Sequence, residues 1–93
     1  MIHEVRLSKK AKADLLKVPK HIVVKFRLWV LSIEKVGLAE ARKSPALHDE
    51  PLKGSRVGQR SIRLNKAYRA IYTLRADGAV EFLEVLEVNK HEY

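Results

Sequence analysis

The chain has no cysteine, which excludes disulfides and a thiolate zinc site and makes the cytoplasm the expected location. No apolar run approaches the roughly 18 residues that span a bilayer, so no membrane partner is expected. The N-terminal stretch MIHEVRLSKK lacks the apolar core of a secretion signal. Repeats and low-complexity tracts are also missing. What remains is a globular balance, 46% apolar and 32% charged in 93 residues, enough for one domain over residues 1–93 with a single core.

The most telling absence is of acid. Residues 53–75 carry seven Lys/Arg and no Asp/Glu, whereas residues 1–52 carry eleven against six and residues 77–93 carry one against five. The net charge is +8. A block of one sign spread over strand-like sequence implies a local positive potential, the footprint of a polyanion partner. The plainer reading of the same block is a solvated cationic face.

Ile2 to Leu7 alternates apolar and polar, the pattern of a short half-buried strand. Ser8 is placed to cap a helix running to Val18, with Ala11, Leu15 and Leu16 inward. Pro19 ends that helix and suits the start of the next. Ile22, Val23, Phe26, Trp29, Val30 and Ile33 then recur at spacings of three and four, predicting a second helix that Gly37 terminates in the left-handed conformation. One or two further helical turns fit Leu38 to Lys43, before a loop at Ser44-Pro45. From Arg56 the period changes to two. Arg60–Leu64, Tyr68–Leu74 and Val80–Val88 read as three strands joined by turns at Asn65-Lys66-Ala67 and Ala76-Asp77-Gly78. The expected fold is α+β: an N-terminal strand, two helices and a C-terminal three-stranded antiparallel meander, with the helices on one sheet face.

Side chains alternate across a strand, so if Ile62 and Leu64 meet the helices, Arg63 lies on the uncovered face. Arg69 on the next strand and Lys53 from the preceding loop then converge with it on one phosphate. A planar guanidinium binds phosphate oxygens bidentately and stays charged at any working pH. The alternative is that Arg69 pairs with Glu84 or Glu87 on its neighbouring strand. Phe26, Trp29 and Phe82 are read as core. Tyr68 and Tyr72 are expected beneath the helices, and His3, His21 and His48 read as ordinary polar positions.

The run Pro51-Leu52-Lys53-Gly54, then Gly58-x-x-Ser61-Ile62-Arg63-Leu64 and Tyr68-Arg69-Ala70-Ile71-Tyr72, closed by Val88-x-x-His91-x-Tyr93, resembles the RelE/ParE superfamily of bacterial type II toxin–antitoxin toxins. The likeness extends over essentially the whole chain. It implies a RelE-like fold and one of two activities: cleavage of messenger RNA in the ribosomal A site, or poisoning of DNA gyrase. Fold alone does not separate these.

Cleavage by attack of the ribose 2′-OH needs a base, cations for the crowded phosphorane and an acid for the departing 5′ oxygen. No residues show metal-ligand spacing, and no metal or cofactor is expected. The resemblance puts Glu50 at the position of a catalytic glutamate, with His48 and Asp49 as adjacent competitors. It matches Arg69 to the family's most recurrent active-site arginine, His91 to the acid, and Tyr93 to a residue that orients a base. Glu92 separates His91 from Tyr93, where such nucleases often have the pair adjacent. Lys53, Arg56, Arg60 and Arg63 make up the expected RNA- and phosphate-binding set. Lys9, Lys10, Lys12, Lys17 and Lys20 are expected to face ribosomal RNA. The expected function is therefore a ribosome-dependent endoribonuclease, with an antitoxin as protein partner. A gyrase inhibitor and a non-catalytic RNA-binding protein are the alternatives.

Overall fold

The computed structural model describes residues 1–90. Its framework is a five-stranded mixed sheet of order β1-β5-β4-β3-β2, formed by β1 (Val5–Leu7), β2 (Glu50–Pro51), β3 (Gln59–Arg63), β4 (Tyr68–Asp77) and β5 (Val80–Lys90). Three helices, α1 (Lys9–Leu15), α2 (Lys20–Val36) and α3 (Leu38–Ala41), lie between β1 and β2 in the chain. The expected β3–β4–β5 meander is present, but it sits inside a larger sheet. β1 pairs in parallel with β5, and β2 pairs antiparallel with β3 at the other edge. The N-terminal strand was expected from its alternation, but neither its pairing nor β2 has a local signature. Parallel pairing joins residues nearly eighty positions apart (Val5 with Leu83), and β2 is two residues long and half proline.

Ser8 does two jobs at the entry to α1. Its hydroxyl accepts the Ala11 N–H at 3.0 Å, capping the helix, and donates to the Leu86 carbonyl at 2.8 Å. Leu86 is the extra residue of a bulge, because Ile71 pairs with Glu87 and Tyr72 with Val85. The bulge keeps Val85 and Val88 on the helix side, and Ser8 satisfies the carbonyl it frees. α1 stops at Leu15, three residues short of the expected end. The Asp14 carbonyl accepts the N–H groups of both Lys17 and Val18, and the residue before a proline is disfavoured in the α conformation. Leu16, expected inward, is 89% exposed. It occupies the C-cap of α1, where the chain is already turning toward Pro19.

α2 buries Ile22, Phe26, Trp29 and Ile33 at the predicted helical spacing. They pack on Ile62, Leu64, Ala70, Tyr72, Leu83, Val85 and Val88 of the strands. Trp29 stands between Phe26 and Tyr72, with ring centroids 5.9 and 5.6 Å away in tilted geometry, an arrangement aromatic quadrupoles favour. Phe82 is buried but on the opposite sheet face, with the Arg6 guanidinium carbon 3.8 Å from its ring centroid. Among the described residues no helix is long and apolar enough to cross a membrane.

Gly37 ends α2, but not in the left-handed helical conformation. Its φ of 85° and ψ of 159° fall in a region essentially restricted to glycine. A Cβ there would also meet the Met1 side chain at 3.0 Å. Gly37→Ala is therefore expected to destabilise the protein by about 1–3 kcal/mol, read as a lower urea midpoint with an unchanged slope.

Candidate functional site

Alternation along β3 and β4 sorts the basic side chains onto two faces. Ile62 and Leu64 join the helix-side core, as do Ala70 and Tyr72. Arg63 and Arg69 therefore point to the other face, and they are direct cross-strand partners. Opposed residues have Cβ atoms only about 5 Å apart, and like charges placed so repel. Glu84 bonds Arg75 at 2.5 Å and Glu87 bonds Arg56 at 3.1 Å. Among the described residues neither Arg63 nor Arg69 has a carboxylate within ion-pair distance. Among the described residues the buried Arg69 Nε lacks a hydrogen-bond partner, as does Oδ1 of Asn89, the residue paired with Arg69 on β5.

Both arginines line a cavity of about 80 Å³ with His48, Glu50, Leu52, Ser61, Asn65, Lys66 and Tyr68. Its lining comes from β2 and its flanking loops, β3, the β3–β4 turn and the start of β4. The edge pairing of Glu50 with Ser61 and Pro51 with Arg60 holds the Glu50 backbone beside β3. The β3–β4 turn is fixed by Asn65, whose side-chain oxygen accepts the N–H groups of Ala67 and Tyr68, each at 2.8 Å. That turn brings Lys66 to the rim. β5 runs alongside, with Asn89 opposite Arg69 and Lys90 opposite Tyr68. The arrangement is one carboxylate facing three cations, a set suited to an anion whose neighbouring hydroxyl must lose a proton.

Several expected site residues lie elsewhere. Arg60 shares the parity of Ile62 and belongs to the other face. Its Nε donates to Asp49 Oδ1 at 2.6 Å, and the Tyr72 hydroxyl donates to Asp49 Oδ2, also at 2.6 Å. The Asp49 side chain is only 3% exposed, with Arg42 Nε 3.8 Å from the same carboxylate. Burial works to lower the Arg60 pKa, but the Asp49 hydrogen bond and charge outweigh it and the net shift is upward. Burial, then the bond to Asp49, raises the Tyr72 hydroxyl well above the ordinary tyrosine value. Asp49 and Arg60 thus anchor the loop on the helix side, away from the cavity that Arg63 and Arg69 line. Arg56 also departs from expectation. It bonds Gln59 of β3 at 2.9 Å and Glu87 of β5 at 3.1 Å, so its side chain spans β4. Its hydrogen bond holds the Glu87 pKa below the usual carboxylate value, against the opposing effect of burial.

Lys53 is exposed just ahead of a short 3₁₀ turn (Gly54–Arg56) and does not line the cavity. Lys9, Lys10, Lys12, Lys17 and Lys20 are exposed on and around α1 and at the start of α2, with Lys10 3.2 Å from Asp14. His91 and Tyr93 lie outside the described residues. Leu52, Ser61, Asn65, Lys66 and Tyr68 were not anticipated as lining. Lys66 alone carried a signal, as a member of the acid-free block. A second concavity, about 590 Å³ and mainly apolar, opens between α1, α2 and β1, with Leu7, Leu15, Leu16, Phe26, Val30 and Leu31 among its walls.

The family model described as "ParE toxin of type II toxin-antitoxin system, parDE" matches residues 5–91. No curated protein matches the sequence significantly. Among solved structures the fold is similar to a YoeB/ParE toxin from Agrobacterium tumefaciens, with TM-score 0.72 at 20% identity, covering 96% of this chain and 99% of that one. It is also similar to a chain of the YoeB–YefM complex from Staphylococcus aureus, with TM-score 0.69, 22% identity and coverage of 96% and 97%. YafQ from E. coli superposes with TM-score 0.65 at 16% identity, covering 95% of this chain and 92% of that one.

Two guanidinium groups opposed across β3 and β4, with no ion-pair partner among the described residues, repel each other. Arg63 is exposed, so its side chain can be neutralised without opening the core. Arg63→Gln is expected to stabilise the ligand-free protein by about 0.2–1 kcal/mol, most visibly at low salt. Thermal unfolding at two ionic strengths checks this, and a loss of stability would mean that Arg63 has a structural partner.

Proposed function

The chain belongs to the ParE toxin family of type II toxin–antitoxin systems, and we propose that it acts as a ribosome-dependent endoribonuclease. The observation that carries this reading is the cavity that holds Glu50, Arg63 and Arg69 together, with neither arginine in an ion pair among the described residues. In this reading the scissile phosphate sits between the two guanidinium groups. Glu50 takes the proton of the adjacent ribose 2′-OH, the 2′ oxygen bonds to phosphorus, and the bond from phosphorus to the 5′ oxygen breaks. A proton delivered to that oxygen completes the step, leaving a 2′,3′-cyclic phosphate and a 5′-OH. Arg63 and Arg69 stabilise the charge that builds on the phosphorane, the largest contribution such sites make.

Lys66 and Lys53 extend the positive surface along the path of the strand. Lys9, Lys10, Lys12, Lys17 and Lys20 supply the sequence-independent attraction to ribosomal RNA, which weakens steeply with salt. His91 and Tyr93 enter this reading from the sequence alone, as acid and base-orienting residue. A second reading, inhibition of DNA gyrase, draws on the match to the ParE toxin family model. The two part on chemistry, because a gyrase poison has no use for Glu50 beside paired arginines.

Arg69→Ala is expected to abolish growth arrest in cells while leaving the protein folded. Mapping transcript 5′ ends after expression separates the readings. New ends confined to translated regions support the nuclease, whereas broken chromosomes with intact messages support gyrase. Binding of RNA without any new end would make the protein a non-catalytic binder.

The family pairs toxins with antitoxins, and we propose that the apolar concavity between α1 and α2 receives an amphipathic segment of the cognate antitoxin. Leu16 and Leu31 are 89% and 50% exposed there, and the basic surface around them favours a segment with acidic flanks. Replacing both leucines by glutamate is expected to weaken antitoxin binding at least tenfold, about 1.4 kcal/mol, with RNA cleavage unchanged. Unaltered affinity in calorimetry would move the antitoxin to another face.

A further inference from the structure

His48 is the one residue other than glycine with positive φ among the described residues, at φ 45° and ψ 49°. This left-handed conformation disfavours ordinary side chains by about 1–2 kcal/mol, and Asn, Asp and His tolerate it best. The strain persists because both flanks are fixed. On one side the His48 N–H bonds the Pro45 carbonyl at 3.2 Å, closing a 3₁₀ turn (Pro45–Leu47). On the other, Asp49 is clamped by Arg60 and Tyr72, and Glu50 is paired with Ser61. Held between these anchors, His48 lines the same cavity as Glu50, Arg63, Lys66 and Arg69. Those four are the charged groups that face it, from β2, β3, the β3–β4 turn and β4.

The nuclease reading uses Glu50 and the arginines but assigns nothing to this imidazole. Among the cavity-lining residues it is the one imidazole, the side chain most often used to deliver a proton to a leaving oxygen. Lys66, Arg63 and Arg69 serve as fixed cationic hydrogen-bond donors to the phosphate oxygens. We infer that His48 is the general acid of this site: its imidazolium donates the proton that the departing 5′ oxygen takes as the bond to phosphorus breaks. The proton balance closes, since Glu50 gains the 2′-OH proton and His48 loses one to the 5′ oxygen. The neutral imidazole and protonated carboxyl then re-equilibrate with solvent. This inference rests on the nuclease reading and takes the acid's role away from His91.

The test compares His48→Asn with His91→Gln in the full chain on ribosomes programmed with a short message. Asparagine retains the left-handed preference but holds no titratable proton. Each variant is given the natural message and one in which sulfur replaces the 5′ bridging oxygen at the cleavage site. A thiolate leaves without needing a proton, so loss of an acid is repaired and loss of any other function is not. His48→Asn is expected to cut the natural message about 10²–10⁴-fold more slowly, to recover most of that loss on the sulfur message, and to bind ribosomes as the wild type does. Equal loss on both messages, no loss on either, or rescue of His91→Gln alone would overturn the assignment. The wild-type arm guards the underlying reading. If wild-type protein yields no cyclic phosphate from either message, the nuclease reading fails and the inference falls with it. Cleavage by wild type with an unaffected His48→Asn refutes the inference alone.

Discussion

The site depends on an electrostatic conflict that the fold leaves unresolved. Arg63 and Arg69 face each other across two hydrogen-bonded strands, and the nearby carboxylates of Glu84 and Glu87 are held by Arg75 and Arg56. Folding therefore places two positive charges side by side on one sheet face and gives neither an ionic partner among the described residues. The helix-side core makes this possible. Trp29, Tyr72, Ile62 and Val85 hold β3, β4 and β5 in register whatever the opposite face carries. In the proposed function an anion between the guanidinium groups would remove the conflict, turning the scaffold's strength into affinity for the ligand.

The two faces of the sheet are linked through one short loop. His48, Asp49 and Glu50 are consecutive, yet Asp49 is bound on the helix side by Arg60 and Tyr72 while its neighbours line the cavity. A buried, fully bonded carboxylate is an effective anchor because releasing it would strand charged partners in a dry setting. The anchor explains how a two-residue edge strand holds Glu50 in place. It also explains how a non-glycine residue is kept in a left-handed conformation beside the site.

How far the sequence revealed this is best judged residue by residue. The helical stripe on α2 and the alternation of Ile62, Arg63 and Leu64 were legible because period alone determines face, and they correctly placed Arg63 away from the helices. The same rule should have assigned Arg60 to the helix side, since it has the parity of Ile62. Reading it as one more member of a basic block obscured that. Asp49 and Glu50 look interchangeable in sequence, and only the tertiary partners Tyr72 and Arg60 distinguish an anchor from a cavity residue. The parallel pairing of β1 with β5, the bulge at Leu86 and the exposure of Leu16 were beyond reach, because each is set by contacts between distant segments. Gly37 was correctly seen as a helix end, although its ψ of 159° makes it a sharper, glycine-only corner than a left-handed cap.

The central claim is that Arg63 and Arg69 act on one phosphate rather than as two separate surface charges. A double-mutant cycle on binding of an uncleavable 2′-O-methyl RNA to the ribosome-bound protein measures this directly, using Arg63→Gln, Arg69→Gln and the double variant. Shared contact with one phosphate predicts strong non-additivity, a coupling of about 0.5–3 kcal/mol. Losses that simply add, to within about 0.5 kcal/mol, would show two independent charges and contradict the account.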